Sequence, residues 1–351
     1  MSSVYKVTEI KEKGLGCIAI VDIKKGSLIL DENPQICPDI KEEMLSSGWI
    51  KSLLKSFYEM SKTDQDEYMT LHNKFNNFQD YQNSEDFQNC KEIVDKSLEC
   101  LKLEIGEIEH DPQKTKEIFK ICNIYLSNSF RATSDGVGNG VRIKTSRFNH
   151  SCQPNAVSIP MVNDLFQVRA ISNIKSGQEI NLNYIDDPFC GFRSRKYRQN
   201  SLFNGWLFHC SCDLCENDVD DVANASQTFI QDAEKFTIDR QLALKAGFPH
   251  GPLYYSIENC RKEVICYLEL FNVGKSQNIQ PYSLYLIVHQ GFLAAAFGNQ
   301  MYKADDLKID AMNFAKAAEK FGKFLGNEIV TQGNPNVYKE IYKNLVDKEG
   351  Y

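Results

Sequence analysis

The rhythm of apolar and polar residues changes three times along the chain. Near the start, Val4 to Ile10 alternates loosely, Cys17-Ile18-Ala19-Ile20-Val21 is β-prone, and Ser27-Leu28-Ile29-Leu30 is a short apolar run. Lys13-Gly14-Leu15-Gly16 and Asp22-Ile23-Lys24-Lys25-Gly26 have the composition of turns between them, and Pro34 and Pro38 close the block. From about Asp39 to Asn128 the spacing becomes helical. Ile50, Leu53, Leu54 and Phe57 share one face, and Ile93, Val94, Leu98 and Leu101 share another. The Asn/Gln-rich stretch from Asn73 to Asn89 reads as a solvated turn or helix end. Strand patterns return between about Ser129 and Asp187, in Phe166 to Ile171 and with clean period two in Ile180 to Ile185. Glycines 136, 138, 140 and 177 mark turns. Beyond Asn224 the pattern is helical, with segments at about 253–273, 282–298, 303–325 and 335–347. Ala311, Phe314, Ala315, Ala318, Phe321 and Phe324 form one face of a long helix. Two strand blocks separated by a helical insert and followed by a helical tail define an α+β protein.

Composition narrows the classes without naming one. The 351 residues exceed one typical domain of ~150 residues, and 42% hydrophobic with 25% charged residues is globular. The net charge of −7 argues against direct nucleic-acid binding and suits a cationic partner such as a lysine-rich tail. Met1 to Ile10 has no secretory pattern and no run of 18 apolar residues occurs. No membrane span is expected, and the expected location is cytoplasmic or nuclear. In that setting 12 cysteines read as thiols or metal ligands rather than disulfides.

Three of those cysteines stand together in His209-Cys210-Ser211-Cys212-Asp213-Leu214-Cys215. A C-x-C-x-x-C spacing brings three thiols within reach of one zinc ion, which takes four ligands in a tetrahedron. The fourth must come from elsewhere. Cys152, Cys190, His209, Cys17 and Cys122 are candidates, and His209, adjoining Cys210, should point away. A site closed by four protein ligands has no open position for substrate, so its role is structural.

A polar segment, Arg147-Phe148-Asn149-His150-Ser151-Cys152-Gln153-Pro154-Asn155, ends in a proline turn. Downstream, Gly177-Gln178-Glu179-Ile180-Asn181-Leu182-Asn183-Tyr184 leads to Ile185-Asp186-Asp187-Pro188. With the Gly14-Leu15-Gly16 turn before them and the cysteine cluster after, these segments resemble the SET-domain methyltransferases, and within them the SET- and MYND-domain group. The resemblance covers roughly residues 4–34 and 117–218. Lys13 to Gly16 is similar to the first SET motif, and Asn128-Ser129-Phe130 to the group's Asn-Ser-Phe. Asn149 to Asn155 is similar to its Asn-His-Ser-Cys-x-Pro-Asn, Gly177 to Asp186 to its Gly-Glu-Glu-Leu…Tyr-Ile-Asp, and Phe208 with the cysteines to a post-SET element.

The resemblance implies a SET-type β-rich core in two parts, 1–34 and 128–190. A helical insert would occupy 35–127, a post-SET zinc element 191–218, and a C-terminal helical domain 219–351. It implies an S-adenosyl-L-methionine-dependent transfer of a methyl group to a lysine of a protein substrate, histone or non-histone. Backbone at Lys13 and Leu15 would hold the methionine end of the cofactor. Asn128, Ser146, Asn149 and His150 would line the rest, and Phe208 would stack on adenine. Tyr184 would be the active-site tyrosine, and Cys152 the fourth ligand of one structural zinc ion beside Cys210, Cys212 and Cys215. Two departures stand out. Between Pro34 and Asn128 only Cys37, Cys90, Cys100, Cys122, His72 and His110 occur, with no C-x-x-C pair, so no MYND finger is expected. Trp206 also stands where the group often has tyrosine. Loss of the finger leaves an alternative, a non-catalytic SET-fold scaffold whose helical tail recruits partners. The basic run Arg193, Arg195, Lys196 and Arg198 reads as a solvated helix face, and Asp218, Asp220 and Asp221 as a linker.

Overall fold

A computed structural model describes residues 3–38, 47–73, 112–131, 139–160, 165–185, 187, 189–216, 221–245, 255–276, 279 and 281–325. The expected features at residues 74–111, at glycines 136 and 138, at Asp186 and Pro188, at Asp218 and Asp220, and at 335–347 lie outside these residues, as do the side chains of Phe321 and Phe324.

The first block is β1 (Tyr5–Ile10), β2 (Gly14–Ala19) and β3 (Leu28–Glu32). β1 and β2 form an antiparallel hairpin in the register Tyr5↔Ala19 to Ile10↔Gly14. The hairpin turn falls one step earlier than the glycines suggest. Glu12, at φ 64, takes the left-handed position, and Gly14 to Gly16 already belong to the strand. The second block contributes β4 (Ser129–Arg131) paired with β5 (Asn139–Val141). It also supplies β6 (Ala156–Pro160) and β7 (Phe166–Ala170), which join β3 in a sheet ordered β3-β7-β6. β7 is central, which explains its departure from simple alternation: Phe166, Gln167 and Val168 are all buried.

Ile180 to Ile185 corrects the expectation of a regular strand. Its backbone is shared among three neighbours instead of one partner. Ile180 N–H donates to Cys17 O at 2.8 Å, Asn181 O accepts from Ala156 N–H at 3.1 Å, and Leu182 N–H donates to Asn149 O at 2.9 Å. Only single bridges form, Ile18↔Glu179 and His150↔Leu182. The period-two pattern survives because Ile180 and Leu182 enter one core with Cys17, Phe148 and Val168.

The insert folds as α1 (Ser47–Glu59), α2 (Lys62–Tyr68) and α3 (Pro112–Asn128). Ser61 caps α2 by accepting from Asp64 N–H at 3.1 Å. Trp49, Ile50, Leu53, Leu54 and Phe57 bury against Ile118, Ile121 and Tyr125 of α3 and against Ile36 and Val141 of the strands. Each such apolar side chain contributes roughly 1.5–3 kcal/mol, so the insert carries its own core and is anchored to the β region.

After the strands come α4 (Arg195–Trp206), α5 (Asp213–Glu216), α6 (Asp221–Lys245), α7 (Ile257–Ser276), α8 (Pro281–Tyr302) and α9 (Asp305–Leu325). Asp221 thus begins a helix of 25 residues, rather than belonging to a linker. Ala311, Phe314, Ala315 and Ala318 are buried as expected. Gly291 and Gly298 on α8 let α9 approach closely: a Cβ at Gly291 would lie 2.5 Å from the Phe314 ring, and one at Gly298 2.5 Å from Leu307. Val157, Ile159, Ile171, Phe189 and Phe192 join the same core, so the helices pack on the face of the β region. Arg193 and Arg198 correct the reading of a solvated basic run. Arg198 is buried, and Arg193 Nε bonds Asp187 Oδ2 at 2.7 Å while its NH2 bonds Glu234. Arg195 and Lys196 are exposed.

Candidate active site and zinc centre

Asn149 to Asn155 lies across the extended segment ending at Tyr184, and the two are stitched at both levels. Leu182 N–H donates to Asn149 O and Ser151 N–H to Leu182 O, each at 2.9 Å. Tyr184 N–H donates to His150 Nδ1 at 3.0 Å. Since Nδ1 accepts, the neutral ring carries its proton on Nε2, which lies 3.3 Å from Cys152 Sγ and donates to it.

Tyr184 is half-buried. Its hydroxyl donates to Phe148 O at 2.7 Å, and its ring lies 5.3 Å from Trp206 and 6.4 Å from Phe208. Burial, then the neighbouring Cys17 and Glu179, hold this phenol well above the ordinary tyrosine range. It is therefore a neutral hydroxyl with a fixed direction, able to orient and polarise but not to act as a phenolate base.

These groups open into one cavity of about 1180 Å³. All eight expected cofactor residues line it: Lys13 and Leu15 from the hairpin, Asn128 from the end of α3, Ser146, Asn149 and His150, Tyr184, and Phe208. Small-molecule pockets run from ~300 to ~1,000 Å³, so a nucleoside-sized ligand and a substrate side chain fit together. The lining suits S-adenosylmethionine: aromatic rings at Trp206 and Phe208 for a base, amide and hydroxyl groups at Asn149 and Ser146, and backbone at the hairpin.

Several lining and supporting residues had escaped the sequence reading. Glu179 accepts from Lys13 Nζ at 2.8 Å and from Asn149 Nδ2 at 2.9 Å. The insert supplies Thr70 and His72 to the cavity wall, and Arg147 secures it by donating to Thr70 O at 3.1 Å and Glu67 O at 3.2 Å. His72 Nε2 lies 3.1 Å from Trp206 O, and Trp206 Nε1–H donates to Ser127 O at 2.8 Å. Asn128 spends its amide on the scaffold, donating to His72 O and Ile124 O, each at 2.7 Å. Glu179 had a signal, its place in the Gly177 to Tyr184 segment. Thr70 and His72 had none.

At the cavity wall, which Cys152 and Cys210 help to line, the Sγ atoms of Cys152, Cys210, Cys212 and Cys215 lie within 4.8 Å of one another, with Cys152 and Cys215 3.5 Å apart. This is the only such group among the described residues. Of the other candidates, His209 stacks on Phe203 with centroids 5.1 Å apart, Cys17 and Cys122 belong to other cores, and Cys190 lies beside the group, its thiol 3.9 Å from Asn183 Oδ1. Gln199 of α4 grips the first ligand, donating to Cys210 O at 2.7 Å and accepting from Cys210 N–H at 2.8 Å. The proton affinities split. Bonding with Cys152 first, and then with Cys212 and Cys215, pulls Cys210 well below the usual range; bonding with Cys152 first brings Cys212 down to about 5 against the opposing effect of Cys210; and bonding with Cys190 first, then with the other three thiols, pushes Cys152 far up. Four adjacent thiolates cannot coexist without a cation, and a tetrahedral zinc ion is the fitting one. His150 and Arg198, whose NH2 lies 3.8 Å from Cys215 Sγ, supply donors to the sulfurs.

The SET domain pattern matches residues 14–185, which hold β2, the Asn149 to Asn155 loop and Tyr184. Residues 14–185 are thus a SET domain, and the chain has relatives in the SET-and-MYND group. It is 28% identical over 237 residues to the SET domain-containing protein L678 of Acanthamoeba polyphaga mimivirus, covering 64% of this chain and 80% of that one. It is 42% identical over 119 residues to the mouse protein-lysine N-trimethyltransferase SMYD5, covering 32% of this chain and 28% of that one. The chain thus spans only about a quarter of the SMYD5 relative's length. Over 99% of its length it also aligns, at 14% identity and a TM-score of 0.42, with 89% of a crystallised chain, the SET domain of LSMT bound to lysine and AdoHcy.

Proposed function

We propose that this chain is a protein-lysine N-methyltransferase that uses S-adenosyl-L-methionine and carries one structural zinc ion. The observation that carries the reading is the convergence of Lys13, Leu15, Asn128, Ser146, Asn149, His150, Tyr184 and Phe208 on one cavity, from segments up to 195 positions apart in the chain. S-adenosylmethionine supplies a methyl group on a cationic sulfur. The chain's part is to place a neutral amine in line with it and exclude water. A free lysine has a pKa of ~10.4, and desolvation beside Trp206 and Tyr184 favours the neutral amine. Because Tyr184 gives its proton to Phe148 O, its oxygen is left as an acceptor towards the cavity, where it favours positive charge. The substrate is a protein with an exposed lysine. A chain of net charge −7 suits a basic peptide rather than nucleic acid or an anionic membrane, and its many thiols suit a cytoplasmic or nuclear setting.

Incubation of the purified protein with methyl-labelled S-adenosylmethionine and a histone and lysate panel tests this. Label on lysine in a protein band, absent with Tyr184→Phe, is the expected result. Failure of the unaltered chain to bind the cofactor in calorimetry overturns the reading.

A further inference from the structure

Five cysteines share the cluster around the zinc centre, whereas an ion held in a tetrahedron needs four ligands. Cys152, Cys210, Cys212 and Cys215 supply those four, so the sulfur of Cys190 is left over. The other described cysteines lie elsewhere, Cys17, Cys122, Cys260 and Cys266 in separate cores and Cys37 at the surface. Cys190 is buried, and its sulfur lies within hydrogen-bonding reach of Cys152 Sγ. A short helical turn fixes it there. Cys190 N–H donates to Asp187 O at 3.0 Å, and Cys190 O accepts from Arg193 N–H at 3.2 Å. The S–H of Cys190 donates to Asn183 Oδ1 at 3.9 Å, which leaves the sulfur lone pairs available to Cys152.

Cys152 differs from the other three ligands. It alone comes from the Asn149 to Asn155 loop, while the others stand together in the chain. It also lines the cavity, as Cys210 does, so a small solute that enters the cavity meets these two residues. Of the two, Cys152 is the one that Cys190 touches. A thiolate reached by a hydroperoxide becomes a sulfenic acid, and a second thiol poised beside it condenses with that group.

We infer that Cys152 and Cys190 form an oxidation site for hydroperoxides, in which a disulfide between them takes Cys152 from the ion and opens the zinc centre. The inference rests on the zinc centre of the proposed function. In the first step the Cys152 thiolate attacks hydrogen peroxide: an S–O bond forms, the O–O bond breaks and hydroxide leaves. In the second the Cys190 thiol attacks the Cys152 sulfur: the S–S bond forms, the S–O bond breaks, and the oxygen leaves with the Cys190 proton as water. The two sulfurs are oxidised and the peroxide is reduced, by two electrons in all. Three thiolates then remain for the ion, and His150, which joins Cys152 to the Tyr184 backbone, loses the fixed sulfur that it faces.

The test treats the whole, zinc-loaded chain with hydrogen peroxide, follows zinc release with a colorimetric chelator, and maps disulfides by mass spectrometry after alkylation and tryptic digestion. The sequence separates the candidates cleanly. Cys152 falls in the peptide 148–169, Cys190 in 176–193, and Cys210, Cys212 and Cys215 in 199–235. The expected product joins 148–169 to 176–193, appears in step with zinc release, and is reversed by a thiol reductant with recovery of zinc binding. Cys190→Ser should load one zinc as before and give no such link. Without a resolving thiol, a second equivalent of peroxide carries Cys152 on to the sulfinic acid, so reductant no longer restores zinc binding. Should Cys190→Ser fail to fold, Cys190→Ala serves, and the map of the unaltered chain decides without either. A link from 148–169 to 199–235, zinc release with no link, or release from Cys190→Ser that reductant reverses as fully as in the unaltered chain overturns the assignment. Absence of zinc from the untreated chain overturns the zinc reading and this inference with it, and metal analysis shows that before peroxide is added.

Discussion

His150 accepts the Tyr184 backbone N–H on one ring nitrogen and faces Cys152 Sγ with the other. One imidazole thus spans the distance between the zinc thiols and the expected catalytic tyrosine. Stripping zinc with a chelator removes the centre that holds Cys152 in place, and Tyr184 and its neighbour Trp206 should loosen together. Only two tryptophans are present, and Trp49 lies in the separate core of the insert. Chelation is expected to red-shift tryptophan emission and abolish methyl transfer. The shift should vanish in Trp206→Phe, and metal analysis should return one zinc per chain. His150→Ala should retain zinc but lose on the order of tenfold in turnover, the range seen when groups supporting a metal site are removed.

Gly16 has no room for a side chain. A methyl there would meet Asn149 Nδ2 at 2.4 Å and Ile10 Cγ1 at 2.7 Å. Gly16→Ala is therefore expected to destabilise by roughly 1–3 kcal/mol, the usual cost of overpacking. It should also weaken cofactor binding, because Asn149 must move. Gly14, with φ 73 and open space around it, is different: Gly14→Ala costs only backbone strain and should leave Asn149 undisturbed. Urea unfolding and calorimetry on the pair separate the two effects.

The parts of the site legible in the sequence are those whose chemistry is concentrated in short segments. Three thiols in six residues announce a metal centre, and Asn149 to Cys152 with Tyr184 announce the rest, because one loop and one extended segment place these groups side by side in the wall. What stayed hidden depends on contacts between distant segments. Arg198 looks like any cation on a helix, and only the fold shows it buried against Cys215. Thr70 and His72 sit in a polar helix end with no periodic signal, and they reach the cavity because Arg147 and Asn128 hold the insert there. The Ile180 to Ile185 segment alternates like a strand for a different reason from pairing. It is pinned by neighbours on both sides, and alternation records burial rather than hydrogen-bond partners.

Arg193 ties the segment just beyond Tyr184 to the helical domain. It bonds Asp187, just beyond Tyr184, and Glu234 on α6, and its guanidinium lies 4.7 Å over the Tyr197 ring. Arg193→Ala should destabilise by about 2 kcal/mol, the scale of a charge-assisted hydrogen bond lost from a shielded site. Arg193→Lys should recover little, because an ammonium cannot bond in two directions with the planar fork. Unfolding by denaturant measures both, and equal stability of Arg193→Lys and the unaltered chain would sink the geometric argument.

Glu263 presents a deeper pair. Its side chain is fully buried, bonded by Arg240 Nε at 3.1 Å and by Tyr255 OH at 2.8 Å, and Thr237 donates to it at 3.1 Å. Truncation leaves Arg240 buried without its carboxylate. Glu263→Ala is expected to cost roughly 3–5 kcal/mol, whereas Tyr255→Phe, which removes one neutral donor, should cost about 1 kcal/mol. Thermal unfolding ranks them, and the reverse order would show that the aromatic packing, not the ion pair, holds α6 to α7.

The stability of the helical domain should also depend on acid in a defined window. His289 on α8 stacks on Tyr285 at 6.0 Å. Burial first, and then the charge of Arg240, lower its pKa from 6.5 to about 4. The folded value lies below the unfolded one, so as pH falls the unfolded chain takes up this proton first. The contribution is therefore intact above about 6.5 and is lost as pH falls towards about 4, by no more than about 1.4 kcal/mol per pH unit. The zinc thiolates also lose their metal in acid, so the informative quantity is a difference. His289→Gln, which cannot take up the proton, should show a shallower fall in unfolding free energy than the unaltered chain across that window, and the same slope above it. Parallel curves throughout would mean that His289 is protonated alike in both states and that α8 is not closed around it.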